Sequence, residues 1–517
     1  MATAAVSTLL LMMILPALAV NPLPDTRGDW RQDRNPKPEP KFYPQFIHTV
    51  GNSASTVPKY KYGVLFSEKP QHHQKNLKPT FSHHHRTPTG KDGELIGKAA
   101  ESVLKFSEAT PDQTGGTHIR QRPGYAVPVH GVQCPQVCRC DFHTGMTNCS
   151  REGLEQIPSG IPPNTTQLEL ANNNLVDLPD MAFSDLFQLQ EIGLSGNYLN
   201  LSSFHVSTFK TKNPTLTTLD LMGSNLPEVP PYLPHSLTYL YLIQCGVRTL
   251  RNESFLGTPL LEHLDLSNNQ ITELPGGVFK PLSRLQVLYI SFNQILCVPE
   301  GLFWGNQMLS ILSLRFNQLK EIPKGAEMYP LRIEHLDFVG NPITTVPARV
   351  FENLTQLQTL EIWQCSSLTT IEDYAFSGLG NLQILDLNEC NISNGITNKT
   401  FQGLTTLWEL YVYGNKIRSM EAGGLLPMKA LSSLWLQDNK FSTLEEGSIS
   451  KVTNPKLSEV FLEFNPWICD CHLRWLREQM DRGNFTIMDP HLIVCSGPEH
   501  IKGKAWDQLK PSDFVCT

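Results

Sequence analysis

Leu264-Asp265-Leu266-Ser267-Asn268-Asn269-Gln270-Ile271 is followed 24 residues on by Leu288-Tyr289-Ile290-Ser291-Phe292-Asn293-Gln294-Ile295. After another 24 comes Leu312-Ser313-Leu314-Arg315-Phe316-Asn317-Gln318-Leu319. The shared form is L-x-L-x-x-N-x-L. Followed in both directions, copies begin at Leu168, Ile192, Leu219, Leu240, Leu264, Leu288, Leu312, Leu336, Leu360, Leu385, Leu410, Leu434 and Val460. The steps between them are 24, 27, 21, 24, 24, 24, 24, 24, 25, 25, 24 and 26 residues. Thirteen copies over residues 166–464 imply a solenoid, because one coil cannot bury its own apolar strand whereas stacked coils share a continuous core.

The register assigns each side chain a place. Residues alternate across a strand, so the two flanking leucines point into the core and the residue between them points out. That outward row runs Glu169, Gly193, Asp220, Tyr241, Asp265, Tyr289, Ser313, Asp337, Glu361, Asp386, Tyr411, Trp435, Phe461. The Asn of each copy (Asn173, Asn269, Asn293, Asn317, Asn341, Asn415 and Asn439) falls at a sharp turn. Buried there, it bonds backbone groups that would otherwise go unpaired. A Phe recurs farther round the coil, at Phe183, Phe255, Phe279, Phe303, Phe351, Phe376 and Phe401, and is expected to form a spine on the convex side.

Solenoid ends expose apolar surface and need covers. The first cover reads Cys134-x3-Cys138-x-Cys140-x8-Cys149, over residues 134–165. The second occupies residues 465–517 and contains Asn465-Pro466-Trp467-x-Cys469-Asp470-Cys471-His472-Leu473-Arg474-Trp475-Leu476, then Cys495 and Cys516.

With these motifs, residues 134–517 resemble the extracellular leucine-rich-repeat superfamily with its N- and C-terminal cysteine caps. The resemblance implies an α/β solenoid: a horseshoe with a parallel concave sheet, about 13 repeats and a disulfide cap at either end. It also implies the pairs Cys134–Cys140, Cys138–Cys149, Cys469–Cys495 and Cys471–Cys516. Among the branches, a chain with a tail is similar to the small leucine-rich proteoglycans. The four-cysteine C-terminal cap departs from decorin-like members and is closer to chondroadherin-like, nyctalopin-like or nephrocan-like proteins and to Slit-type repeats. Proteins of this branch bind collagens, integrins or growth factors, and the resemblance implies such partners here.

The compartment is read from the beginning of the chain. Val6–Leu15 is an apolar run too short to span a bilayer, followed by Pro16 and Ala17-Leu18-Ala19, the small-x-small form of a signal peptidase site. Residues 1–19 therefore read as a signal peptide, although no Lys or Arg precedes the run. No later stretch has the apolar length of a membrane span, and one residue after Cys516 leaves no room for a lipid-anchor tail. Secretion into the extracellular space or matrix is the expectation. Sequons at Asn164, Asn200, Asn252, Asn353, Asn391, Asn398 and Asn484 agree with it as N-glycan acceptors. Asn148 is a poorer acceptor, since Cys149 sits inside its sequon. Serines of the tail lack an acidic Ser-Gly setting, so N-glycans and no proteoglycan chains are expected.

Residues 20–133 differ in kind, with 13 prolines, eight of the 16 histidines, no cysteine and no apolar period. Their 16 Lys/Arg against 10 Asp/Glu give +6, which leaves −13 on residues 134–517 of a chain that totals −7. Too little apolar material is present to offset the entropy of ordering, so a basic, disordered tail is expected, with one marginal helical face at Ile96–Phe106. Within it, Arg27-Gly28-Asp29 is the tripeptide that integrins recognise. His72-His73 and His83-His84-His85 lack the spacing of a closed metal site, so no metal is expected. Arg31-Gln-Asp-Arg34 fits the minimal form of a furin-type site.

The acidic Asp337, Glu361 and Asp386 are consecutive in the outward row, as are the aromatic Tyr411, Trp435 and Phe461, with Trp363, Tyr413 and Phe464 on neighbouring columns. Neighbouring strands lie about 4.8 Å apart, so these residues adjoin. Grouped exposed aromatics favour a protein interface, and the acids suit a basic partner. Of the cysteines within the repeats, Cys245, Cys365 and Cys390 replace the turn Asn, while Cys297 does not. Buried free thiols are expected, although Cys365 and Cys390 lie on adjacent coils and a bridge between them is the alternative.

No G-x-S-x-G, H-E-x-x-H, P-loop or zinc-finger spacing occurs, and the charge balance does not suit nucleic acid, so neither catalysis nor a cofactor is expected. The reading is a secreted matrix or pericellular protein that binds collagen, a cell-surface receptor or a growth factor through its concave face. The alternatives are a soluble growth-factor or receptor regulator, sequestering or decoy, and an innate-immune pattern binder.

Overall fold

The computed structural model describes residues 133–210, 214–324 and 329–516. The signal peptide, the tail with its Ile96–Phe106 face, Arg27-Gly28-Asp29, the histidine tracts and Arg31–Arg34 lie outside the described residues. The chain divides into two units, Met1–Gly116 and Thr117–Thr517, and every described residue belongs to the second.

Thirteen parallel strands, from Gln167–Glu169 to Glu459–Phe461, stack in sequence order in one 16-stranded sheet. We number the coils 1 to 13 by these strands. The register places leucine on leucine, Leu168 beside Ile192 and so on to Leu434 beside Val460, and every one of these inward residues is buried. A hairpin of Arg139–Asp141 with Met146–Asn148 opens the sheet, and Thr486–Ile487 closes it. The back of the coils runs mostly as turns, with one 3-10 segment at Leu201–Ser203 and a short parallel pair of Thr345–Val346 with Thr370–Ile371. The one α-helix among the described residues, Arg474–Arg482, belongs to the C-terminal cap. Coils of about 24 residues leave little chain for a helix once strand and turns are made.

The buried asparagines join coil to coil. Asn269 Nδ2 donates to Leu242 O at 2.7 Å and Leu266 O at 2.8 Å, while its Oδ1 accepts from Cys245 N at 3.0 Å and Val247 N at 2.9 Å. Cysteine keeps only part of this. Cys245 and Cys390 donate Sγ–H to the preceding coil's Leu221 O and Ile362 O at 3.2 and 3.1 Å, and Cys365 faces Phe338 O at 3.6 Å. All three are buried free thiols, so no bridge joins Cys365 to Cys390, and Cys297 is an exposed one.

The residue before the turn Asn, or before the Ser or Cys that replaces it, takes the left-handed conformation in all thirteen coils, with φ between 50° at Phe316 and 75° at Gly223. Only four of these positions are glycine (Gly196, Gly223, Gly340 and Gly414). From there the backbone N–H reaches the next coil, as in Phe292 N to Arg315 O at 2.9 Å. That bond offsets a conformational cost of about 1 kcal/mol or more for a non-glycine residue. On the convex side Phe255, Phe279 and Phe303 stack at 6.0 and 6.1 Å, and Phe351, Phe376 and Phe401 at 6.5 and 5.9 Å, all of them fully buried.

Both ends are closed by disulfides: Cys134–Cys140 and Cys138–Cys149 at one, Cys469–Cys495 and Cys471–Cys516 at the other. They are the pairs that the resemblance implies. In the second cap Trp467 stacks on Phe441 of coil 12 at 6.2 Å, donates Nε1–H to Leu462 O at 2.9 Å and packs against Trp506. The buried Arg477 guanidinium donates to Leu509 O at 2.7 Å, which ties the helix to the last segment of the chain.

Candidate protein-binding face

The outward row forms in the register expected. Asp337, Glu361, Asp386, Tyr411, Trp435 and Phe461 occupy six consecutive strands, each paired with the next. Trp435 is sandwiched, with its ring 5.3 Å from Tyr411 and 3.7 Å from Phe461, both stacked. The triad is half-buried, and Tyr411 Oη donates to Glu409 Oε2 at 3.0 Å. Phe464 projects from the left-handed position of coil 13 and is 64% exposed. Trp363 and Tyr413 are half-buried, each two places along the chain from its own coil's residue in the outward row.

Several polar atoms beside the triad are buried and have no hydrogen-bond partner among the described residues: Trp435 Nε1, Gln437 Oε1 and Glu463 Oε2. An unmet donor and two unmet acceptors within two adjacent coils are costly if nothing binds them.

The acidic residues differ from their expected solvated state. Burial pushes Glu361 up to about 7, with the Asp337 charge next in effect, and it pushes Asp386 to about 7, where Glu361 and Glu389 add to it. Asp337 is raised by burial and partly held back by Arg315, whose Nε lies 3.5 Å from Asp337 Oδ2. Ser313 Oγ donates to the same oxygen at 2.8 Å. The guanidinium also lies 5.5 Å from the Trp363 ring centre and 5.8 Å from that of Phe316. The stripe thus carries less negative charge at neutral pH than three free carboxylates would. Sequence alone does not single out Arg315, since nothing in an isolated Arg on a neighbouring column says that it reaches across a coil.

A second group is hidden from the outward row because half of it lies one column before. His263 sits 5.8 Å from Tyr239, 5.3 Å from Tyr241 and 5.5 Å from Tyr289, over coils 4 to 6. Phe292 and Phe316, at the left-handed positions of coils 6 and 7, stack at 4.6 Å, and Phe292 is exposed. No sequon falls within the thirteen repeat strands. Among the described residues one His/Cys/Asp/Glu group is close enough to hold a metal, Cys471, His472 and Cys516, but both its sulfurs belong to a disulfide.

Comparison with known proteins agrees with this architecture. The leucine rich repeat family matches residues 235–295 and 357–417. Podocan of Mus musculus is 36% identical over 118 residues, 23% of this chain and 19% of podocan. Biglycan of Sus scrofa is 30% identical over 150 residues, 29% of this chain and 54% of biglycan. The chain thus spans less than two thirds of either relative. A solved leucine-rich-repeat protein of Leptospira interrogans shares the fold, with a TM-score of 0.51 and 22% identity, over 66% of this chain and 94% of that one.

Proposed function

Starting from a leucine-rich-repeat protein closed by disulfides at both ends, we propose that it is secreted into the matrix or pericellular space and binds proteins there through its concave face. Residues 1–19 would serve as the signal peptide, and the seven sequons other than Asn148 would carry N-glycans. The observation that supports the site best is the stacked Tyr411–Trp435–Phe461 triad with unmet polar atoms at Trp435, Gln437 and Glu463 beside it. Rigid aromatics give large contact area at low entropic cost. Asp337, Glu361 and Asp386, together with Trp363, Tyr413 and Phe464, would frame this anchor. The resemblance to the small leucine-rich proteoglycans makes collagen a first partner to try, ahead of growth factors and cell-surface receptors, including an integrin at Arg27-Gly28-Asp29. The role is binding and not catalysis.

The test is capture of the secreted chain on immobilised fibrillar collagen and on a growth-factor panel at physiological salt. A Tyr411→Ala/Trp435→Ala/Phe461→Ala variant, checked for unchanged secretion and folding, runs in parallel. Loss of capture by about tenfold or more in the variant is the expected result. Equal capture of both proteins would move the site off this end of the face.

A further inference from the structure

We propose that a groove on the flank of coils 2 to 5 holds the core N-acetylglucosamine sugars of the N-glycan attached at Asn200. This assignment rests on the reading of the sequons as glycan acceptors in a secreted chain, and it adds a binding site on the chain for one of those glycans.

Past the turn Asn of each coil the chain has left its strand, and its side chains fall into rows from coil to coil. The place next after the turn Asn, or after its replacement, reads Tyr198, Asn225, Gly246, Gln270 over coils 2 to 5. Two places on, the row reads Asn200, Pro227, Arg248. Backbone bonds hold the coils side by side here: Asn225 N donates to Leu199 O at 2.8 Å, Arg248 N to Pro227 O at 2.9 Å and Gln270 N to Val247 O at 2.8 Å. Between the two rows lies a groove of about 460 Å³, bounded by Asn200, Asn225, Pro227, Gly246, Arg248 and Gln270. Small ligands occupy pockets of about 300–1,000 Å³, so a sugar or two fits. Gly246 keeps the groove open, since a Cβ there would meet nothing within 4 Å, whereas the neighbouring coils carry Asn225 and Gln270 at the same place. Past Arg248 a second hollow of about 320 Å³ follows, beside Thr249, Thr272 and Glu273.

Asn200 stands at one end of the groove with its amide fixed. Its Oδ1 accepts from Ser202 N at 2.9 Å and from Ser202 Oγ at 2.6 Å, and its backbone N–H donates to Ser203 Oγ at 3.0 Å. Nδ2, the atom that carries the sugar, makes no hydrogen bond among the described residues. A glycan core is uncharged; it offers CH faces to apolar surface and hydroxyl and acetamide groups to hydrogen bonds. The groove matches both. Tyr198, two residues before Asn200, is 66% exposed, and Leu201 and Pro227 add apolar wall. Of the seven acceptor sequons, Asn200 alone follows an exposed aromatic at that distance, because Phe351 before Asn353 is fully buried. Arg248 Nε donates to Gln270 Oε1 at 2.9 Å, which orders both side chains and leaves the remaining guanidinium N–H groups and Gln270 Nε2 for sugar oxygens. No carboxylate lines the groove. None of these residues belongs to a strand, so a sugar here covers the flank and leaves the outward row clear.

The test uses the full chain from cells whose N-glycans stop at the high-mannose stage, so that endoglycosidase H can cut between the two core sugars at every site. Glycopeptide mass spectrometry follows release from the folded protein, site by site. Release at Asn200 is expected to be about tenfold slower than at the exposed Asn398 and Asn484, and equal to them after denaturation. Tyr198→Ala, and separately Arg248→Ala/Gln270→Ala, speed release at Asn200 alone, and unchanged rates at Asn398 and Asn484 show that the fold is kept. Gly246→Asn, whose side chain tolerates the left-handed φ of 80° found there, fills the groove and has the same effect. Equal rates at all three sites in the unaltered protein would overturn the proposal. So would a slow Asn200 that no variant speeds, or a bare Asn200 beside glycosylated Asn398 and Asn484. A chain with no glycan at any sequon would overturn it together with the reading it rests on, whereas a failure of collagen capture leaves both standing.

Discussion

Within one strand, the residue facing the core and the residue facing the concave side are neighbours in the chain, yet they answer to different constraints. Inside, Asn293 Nδ2 donates to Leu266 O and Ile290 O while its Oδ1 accepts from Ile271 N, and Asn317 repeats the set one coil on. Where that position is Cys245, Cys365 or Cys390, part of the set is lost and the coil still closes. Outside, the same register holds Gly193 in one coil and Trp435 in another, with no common bond to make. The interior repeats because stacking demands it. The face varies because nothing in the fold consumes it, and its grouped aromatics therefore call for a reason beyond stability.

The largest effect should come from breaking the interior. Asn293→Ala leaves Ile271 N unmatched and takes one of two amide donors from each of Leu266 O and Ile290 O, and urea denaturation should show a loss of about 3 kcal/mol. A loss below about 1 kcal/mol would mean that the asparagine ladder is not what binds coil to coil. The face should respond in the opposite sense. Trp435→Ala removes two ring contacts from a half-buried position and should cost about 1 kcal/mol of stability, clearly less than the asparagine change. A cost of about 3 kcal/mol would make the triad structural and erase the contrast.

The third effect is graded by pH. Glu361 and Asp386 have folded-state values near 7 against ordinary values of 4.5 and 3.8, so between about pH 4 and 7 these two groups hold more protons in the folded chain than in the unfolded one. Their contribution to stability falls as pH rises through that window. Glu169, raised to about 7 by burial and by Glu191, acts in the same sense. Thermal denaturation should show a lower midpoint at about pH 7.5 than at about pH 5.5, and Glu361→Gln with Asp386→Asn should flatten the difference by raising the value at the higher pH. A midpoint that rises over this interval would show that the stripe is solvated after all.

The register of L-x-L-x-x-N-x-L was enough to place Trp435 between Tyr411 and Phe461, because adjacency across parallel strands follows from counting. Counting does not tell how deep a carboxylate sits. Glu361 and Asp386 are buried, and Arg315 reaches Asp337 beside them by the length of its side chain. Nor does it reveal the left-handed residue of each coil. That conformation is imposed by the N–H bond to the next coil, and it is adopted by Phe292 and Phe316 as readily as by Gly340. His263 and Tyr239 escape for a simpler reason: the outward row contains neither, since both stand two places before it.

The phenylalanine spine has a geometric consequence for whatever lies on the opposite side. Its rings repeat every 5.9–6.5 Å, while strands repeat about every 4.8 Å. The outer pitch thus exceeds the inner by roughly a quarter to a third, and the stack is forced into an arc with the strands on its short side. Along that short side the rungs converge. A bound object must therefore be narrower than the arc's opening and present its contacts at the tighter spacing, which favours a slender rod or an extended segment over a broad flat surface.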